Sequence, residues 1–336
     1  MNWQASTVTL PVTLLLVSTA SAHHSFTGLD RERTITIDGE VSRYVYANPH
    51  VYFFIEVTEE RGETAEWEIQ SGTVPLMARA GWERDTLKPG DRVTVEIHPT
   101  RDPQDFRGQG VSLMKADGQV LAIISSYGQQ QIRITARTSE LWGMWQTIFD
   151  RERYIAQSST ALMSLTEKGR AAVAEFDAST DPVLDCVPPP PPDNLGHPDG
   201  KLLQRDGDIV TLRTQLFEIE RTIYMDGRGH PDDGGRTLQG HSIGWFEDDV
   251  LVVDTTLLED HAWGNGDGLP SGAQKHVVER FTLSEDGTRI NIEAIVEDPE
   301  YLAAPVSSIY EWGYTPEVAF ILDAGCDPEV SRYHLQ

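Results

Sequence analysis

The sequence is short of cysteine, lysine, methionine and long apolar runs, and each shortage excludes something. There are two cysteines, Cys186 and Cys326. In an oxidising compartment a lone pair reads most simply as one disulfide, and thiolate copper ligation is the functional alternative. A bridge between them would close a long loop, worth roughly 4–5 kcal/mol in the chain-entropy picture. Lysine occurs five times, and the 27 basic residues face 53 acidic ones, for a net charge of -26. Such a chain lacks the cations that nucleic-acid phosphates or an anionic membrane surface demand. The six methionines are scattered, which argues against a Cu(I) carrier.

The first six residues, MNWQAS, carry no Lys or Arg. Even so, VTLPVTLLLVSTA followed by Ala20-Ser21-Ala22 reads as a secretory signal over residues 1–22, too short in its apolar part to span a bilayer comfortably. No other long apolar segment follows. The expectation is an exported chain, periplasmic or secreted, that begins at His23 and has no membrane insertion after cleavage.

The rest is long enough for two domains. From 23 to 125, TITIDGEVSRYVYA, HVYFFIEVT, ETAEWEIQ, DRVTVEIH and QVLAIIS read as five strands. GTVPLMARAGW supplies a helix between the third and fourth, and LKPGDRV a tight turn. Five strands with a helix in that place is the plan of an OB-like β-barrel. The basic and stacking residues of a nucleic-acid binder are missing, so the barrel reads as a scaffold. Residues 126–140 read as a linker. From 141 to 336 come LWGMWQT, a capped helix in SLTEKGRAAVAEF, the stiff run CVPPPPPDNLGHP and then strands. DIVTLRTQLFEIERTIYM, HSIGWFEDDVLVVDTT, KHVVERFTLSEDGTRINIEAIVED and VSSIYEWGYTPEVAFIL predict an antiparallel meander of about eight strands, a barrel or a sandwich. Gly143-Met144-Trp145 matches the Gly-x-Trp that opens lipocalin-like barrels, where the Trp plugs one end. The fold class is mainly all-β.

Two constellations carry chemistry. A mature N-terminal His23 can chelate copper through its α-amine and Nδ1, as in a histidine brace, because copper displaces the amine proton near neutral pH. His24 offers a second local mode. His50, in YANPHVYFF, and His98, in VEIHPTRD, are the candidate partners from the fold. The second constellation lies in the C-terminal half. MDGRGHPDDGG gives Asp226, Arg228 and His230; His241 opens a strand that leads to Asp254; EDHAWGNGDG gives His261; KHVVERF gives His276, Glu279 and Arg280. On a strand, His276 and Glu279 face opposite ways. Polar groups inside a barrel demand a reason, and a His–carboxylate pair there could do acid–base work. Asp226, His230, His241 and His276 are therefore the candidate catalytic residues. The glycine-rich loops lack the run of oxygen ligands that calcium wants.

AHHSF, VSRYVYANPHVYFFIEV, AEWEIQ and RAGWERDTLKPGDRVTVEIHPTRD together resemble the DUF6152 family of exported bacterial proteins over about residues 20–125. LTEKGRAA, DPVLDCVPP, RTIYMDGRGHP, GHSIGWFEDDVLVVDT and HVVERF resemble an uncharacterised region of similar exported proteins. One departure is WFEDDV, where that region has a Trp-Glu-Gly-Asp-Thr turn; it changes a hairpin tip. The resemblance implies export and the two-part layout, and no activity. Three functions follow as expectations: copper binding through the N-terminal histidine; a C-terminal barrel that takes a small apolar molecule, with His/Asp acid–base chemistry of an isomerase or lyase; or a non-catalytic envelope interaction protein.

Overall fold

The computed structural model describes residues 28–333, apart from 59–61, 63, 125–133, 159–162, 267 and 322–324. The signal segment, His23, His24 and the greater part of the expected linker lie outside the described residues.

The N-terminal part is a five-strand barrel of β1 (Ile35–Val45), β2 (Tyr52–Thr58), β3 (Thr64–Gln70), β4 (Arg92–Pro99) and β5 (Arg107–Lys115), with a short β6 (Val120–Ala122) beyond β5. A parallel pairing of β3 with β5 closes it. Helix α1 (Val74–Arg79) sits between β3 and β4, as the OB-like plan requires. Thr73 caps α1 by accepting from Leu76 N at 3.4 Å, and Gly81 leaves it at φ +85. Its apolar face, Leu76 and Met77, drops into a core with Val41, Phe53, Ile55 and Val95.

The strand that closes this barrel is not QVLAIIS. That segment supplies only β6, and the fifth barrel strand is RGQGVSLMK. The reason is steric. A Cβ on Gly110 would stand 2.7 Å from Ile123, and one on Gly108 would stand 2.9 Å from Ile97 and from the His98 carbonyl. A bulge in β5 at Val111, opposite Glu96 and Ile97, bends that strand across the barrel there. Closure needs glycine where strand propensity asks for β-branched residues.

The C-terminal part is a closed barrel of nine strands, not eight. They are β7 (Gly143–Thr147), β8 (Gly200–Asp206), β9 (Ile209–Thr214), β10 (Glu220–Tyr224), β11 (His241–Glu247), β12 (Val250–Thr256), β13 (His276–Leu283), β14 (Arg289–Glu297) and β15 (Val306–Tyr314). Helices α2 (Arg151–Ser158) and α3 (Glu167–Ala174) precede β8, and α4 (Pro328–Ser331) follows the barrel. Three readings are corrected. GKLLQRD, ahead of the point where the sequence reading resumed its strands, is β8. DIVTLRTQLFEIERTIYM is a hairpin, turned at Phe217 and Glu218 with φ of 59° and 50°. The meander is also broken once, because β10 and β11 pair in parallel. Parallel neighbours need a crossover connection, and residues 225–240 provide it.

Inside, the strands stack three layers. Trp145, Leu251, Phe281, Ile292 and Trp312 fill one end. Trp145 is fully buried and donates from Nε1 to Leu141 O at 2.8 Å, in line with a plugging Trp. Leu258, Val277, Val296 and Leu302 form the other end. Between them lies a polar layer. Arg221 donates from Nη1 and Nη2 to the two carboxylate oxygens of Glu279 at 2.9 and 2.5 Å, from Nε to Ser242 Oγ at 2.9 Å and from Nη2 to Thr255 Oγ1 at 2.6 Å. The prolines 189–192 are buried and deliver Leu195, whose carbonyl accepts from Trp312 Nε1 at 3.0 Å.

Cys186 and Cys326 form a disulfide with Cα atoms 5.8 Å apart across 140 residues, which removes the thiolate copper alternative. The bridge holds the tail at residues 325–333 near the N-terminal barrel. There Tyr333 meets Tyr52 and Phe54 edge-on at 5.2 and 5.7 Å, and Asp327 N donates to Asn48 O at 3.1 Å.

Arg221→Met should cost about 3–5 kcal/mol in a urea unfolding titration, because it strands Glu279 in the lumen. A loss no greater than that of a surface arginine variant would show that the pair does not hold the layer together.

Candidate functional site

Three of the four candidate catalytic residues meet, and they meet on the outer wall of the C-terminal barrel, not in its lumen. Ser242, Thr255, Val277 and Glu279 face inward, so His241, Asp254 and His276, one position away on β11, β12 and β13, face outward. The crossover loop runs back over this face and adds His230. His230 and His276 each donate from Nε2 to Asp254 Oδ1 at 3.0 Å. His230 Nδ1 then accepts from His241 Nδ1 at 2.8 Å, the tautomers being fixed by these partners. His276 Nδ1 faces Glu297 Oε2 at 3.5 Å, from the residue paired with it on β14. Tyr224 stacks on His241 with centroids 5.2 Å apart. Asp226 does not join. Arg228 grips it from Nε at 2.9 Å while lying 4.0 Å over the Tyr224 ring.

The charges follow this geometry. Burial acts to raise the Asp254 carboxyl, but hydrogen bonds and charge from His276 and then His230 outweigh it and hold it low. The Asp254 hydrogen bond raises His276, against burial. Burial, then His230 and Arg228, lower His241. The Arg228 hydrogen bonds hold Asp226 down at about 2. Asp254, His230 and His276 keep 22, 21 and 32% of their side-chain surface open, so the set is reachable from solvent. Glu297 was missed in the sequence, since nothing in EAIVED separates it from an ordinary surface carboxylate.

The N-terminal histidines are arranged differently. His98 Nδ1 lies 3.0 Å from Arg33 O and 3.5 Å from Thr34 Oγ1. The ladder runs Tyr52, Gln70, Gln109, His98 across β2, β3, β5 and β4. Neither His50 nor His98 belongs to a group of three or more His, Cys, Asp or Glu gathered for a metal among the described residues. Beside this row a polar cleft runs from Gly28 to Glu68, Arg107 and Asp105. Burial pushes the Glu68 carboxyl up to about 7, against the pull of Arg107.

A second cleft, small at about 50 Å³, lies at the far end of the C-terminal barrel. Val296, Val306, Ser308 and Tyr310 line it from the inward side of β14 and β15, with Met163 and Asp193 opposite. Burial drives the Tyr310 phenol up, so it stays protonated.

Residues 12–108 match the model of DUF6152, a family of unknown function. The DUF6152 match takes in the candidate N-terminal histidines and strands β1 to β4 and ends within β5. It stops well short of the C-terminal barrel and its His/Asp set. No curated protein matches the chain.

His261 stands apart from the cluster, buried in the loop before β13, with Nδ1 accepting from Trp263 N at 3.1 Å. Burial, then Lys275, lower it from 6.5 to about 4. Its contribution to stability is therefore full above pH 6.5 and is lost as pH falls towards 4. Urea midpoints measured at pH 7 and 4.5 should fall less in His261→Gln than in the parent protein. Equal falls would remove His261 from the acid response.

Proposed function

We propose that the C-terminal barrel binds a small, largely apolar molecule in the cleft at its open end. The observation that carries this reading is a change along β15. At one end its inward side chain, Trp312, is fully packed. At the other, Val306, Ser308 and Tyr310 border open volume. A mainly apolar lining with a few converging polar groups is the usual form of a small-molecule site; at about 50 Å³ this cleft is small, so a bound molecule would have to widen it between Met163 and β15. Val296, Val306 and Met163 would take the apolar body. Tyr310, Ser308 and Asp193 would take a polar end. The outer-wall histidines are on the far side of the sheet from this cleft, so acid–base chemistry by His230, His241 or His276 on a molecule held there has no geometric route.

The test is saturation binding of the apolar dye N-phenyl-1-naphthylamine, followed by fluorescence. The parent protein should bind one equivalent, and Val306→Trp, which fills the cleft, should weaken binding about tenfold or more. Equal affinity in Val306→Trp would place the dye elsewhere and end the proposal.

The same reading takes the chain to be exported, with its mature start at His23. The disulfide supports this, and among the described residues no helix is long and apolar enough to cross a membrane. Intact mass of the protein collected after native export should equal the chain from His23 less two hydrogens. A mass that retains residues 1–22 would overturn the export reading, and with it the N-terminal copper chelate.

A further inference from the structure

The outer-wall set carries a reading independent of the cleft. We propose that His230, Asp254 and His276 bind one divalent first-row transition-metal ion through His230 Nε2, His276 Nε2 and Asp254 Oδ1. Both imidazole nitrogens stand 3.0 Å from the same carboxylate oxygen. Ligand atoms that share an ion at about 2.0–2.2 Å are themselves roughly 3–3.5 Å apart, so these two spacings need little change.

The far side of each ring is already supported. His276 Nδ1 faces the Glu297 carboxylate at 3.5 Å, and His230 Nδ1 faces His241 Nδ1 at 2.8 Å. Metal-binding histidines are held by such partners on the second ring nitrogen, which fix ring orientation and tautomer. Both Nε2–H groups point at Asp254, so these atoms make a hydrogen-bonded set. Binding requires each ring to carry its proton on Nδ1 instead. Glu297 and a His241 ring protonated on Nε2 can accept from that position. Two imidazoles and one carboxylate, with the opposite side open to solvent, suit Zn²⁺ or Fe²⁺ and not Ca²⁺ or Mg²⁺, which take oxygen ligands.

The ligands come from β12, β13 and the crossover loop. The ion would therefore pin that loop to the sheet where β10 and β11 run in parallel.

The test uses the mature chain carrying His23→Ala and His24→Ala, so that a chelate at the N-terminus does not compete. Zn²⁺ is titrated calorimetrically, and bound metal is counted after dialysis. One Zn²⁺ per chain is expected. Asp254→Asn and His276→Gln should each weaken it by about 100-fold or more, since loss of an outer-shell partner alone costs about 10–100-fold. His98→Gln should change nothing. Thermal melts check that the variants are folded, and if one is not, the other decides. No bound Zn²⁺, or equal affinity in a folded Asp254→Asn or His276→Gln chain, would overturn the site and leave the set as a hydrogen-bonded brace for the loop. Loss of binding only in His98→Gln would overturn it equally, by moving the ion to the N-terminal barrel.

Discussion

The C-terminal barrel depends on one buried ion pair. Arg221 and Glu279 lie across the lumen from each other, on β10 and β13, with their remaining polar capacity taken up by Ser242 and Thr255. A charged pair removed from water is stable only when it is fully paired and hydrogen-bonded. This one therefore fixes where four strands stand relative to one another. It also separates the interior into an aromatic-packed end and an aliphatic end. The cleft exists because the second end is not filled to the density of the first.

The same constraint shapes the outer wall. Thr255 and Glu279 turn inward to meet Arg221, so Asp254 and, three residues before Glu279, His276 turn outward. The parallel pairing of β10 with β11 forces residues 225–240 to cross the sheet, and that crossing brings His230 onto Asp254. Inner pair and outer set are two faces of the same strands. The loop leaves β10 by a turn at Asp226 and Gly227, where Asp226 Oδ1 accepts from Arg228 N at 3.2 Å and Gly227 has φ +78.

The N-terminal barrel is joined to this body by the Cys186–Cys326 bridge, by the tail at residues 325–333 and by Arg79, which donates from Nη2 to Gln215 Oε1 at 2.6 Å. Tyr52 and Phe54 point away from their own core and are covered by Val330 and Tyr333. The continuous apolar run VYFF thus serves two layers, one within the barrel and one beneath the tail.

The sequence by itself determined the mainly β character, the helix between β3 and β4, the capped helix at 167–174, the hairpin turns at EDDV and SEDGTR, and the pairing of the only two cysteines. Each of these follows from local rules of period, capping and turn chemistry, or from counting. It also marked His230, His241 and His276 as chemistry-bearing residues, and put His276 and Glu279 on opposite faces. It did not say which face is the lumen. That was decided by Arg221, 58 residues before its partner, because a buried carboxylate requires a cation that no local pattern announces. Tertiary structure alone also decided that β5 is a glycine strand, that β8 exists and that β10 and β11 are parallel. In these cases the cause is a contact between segments far apart in sequence: a Cβ that would clash, or a crossover that must be spanned.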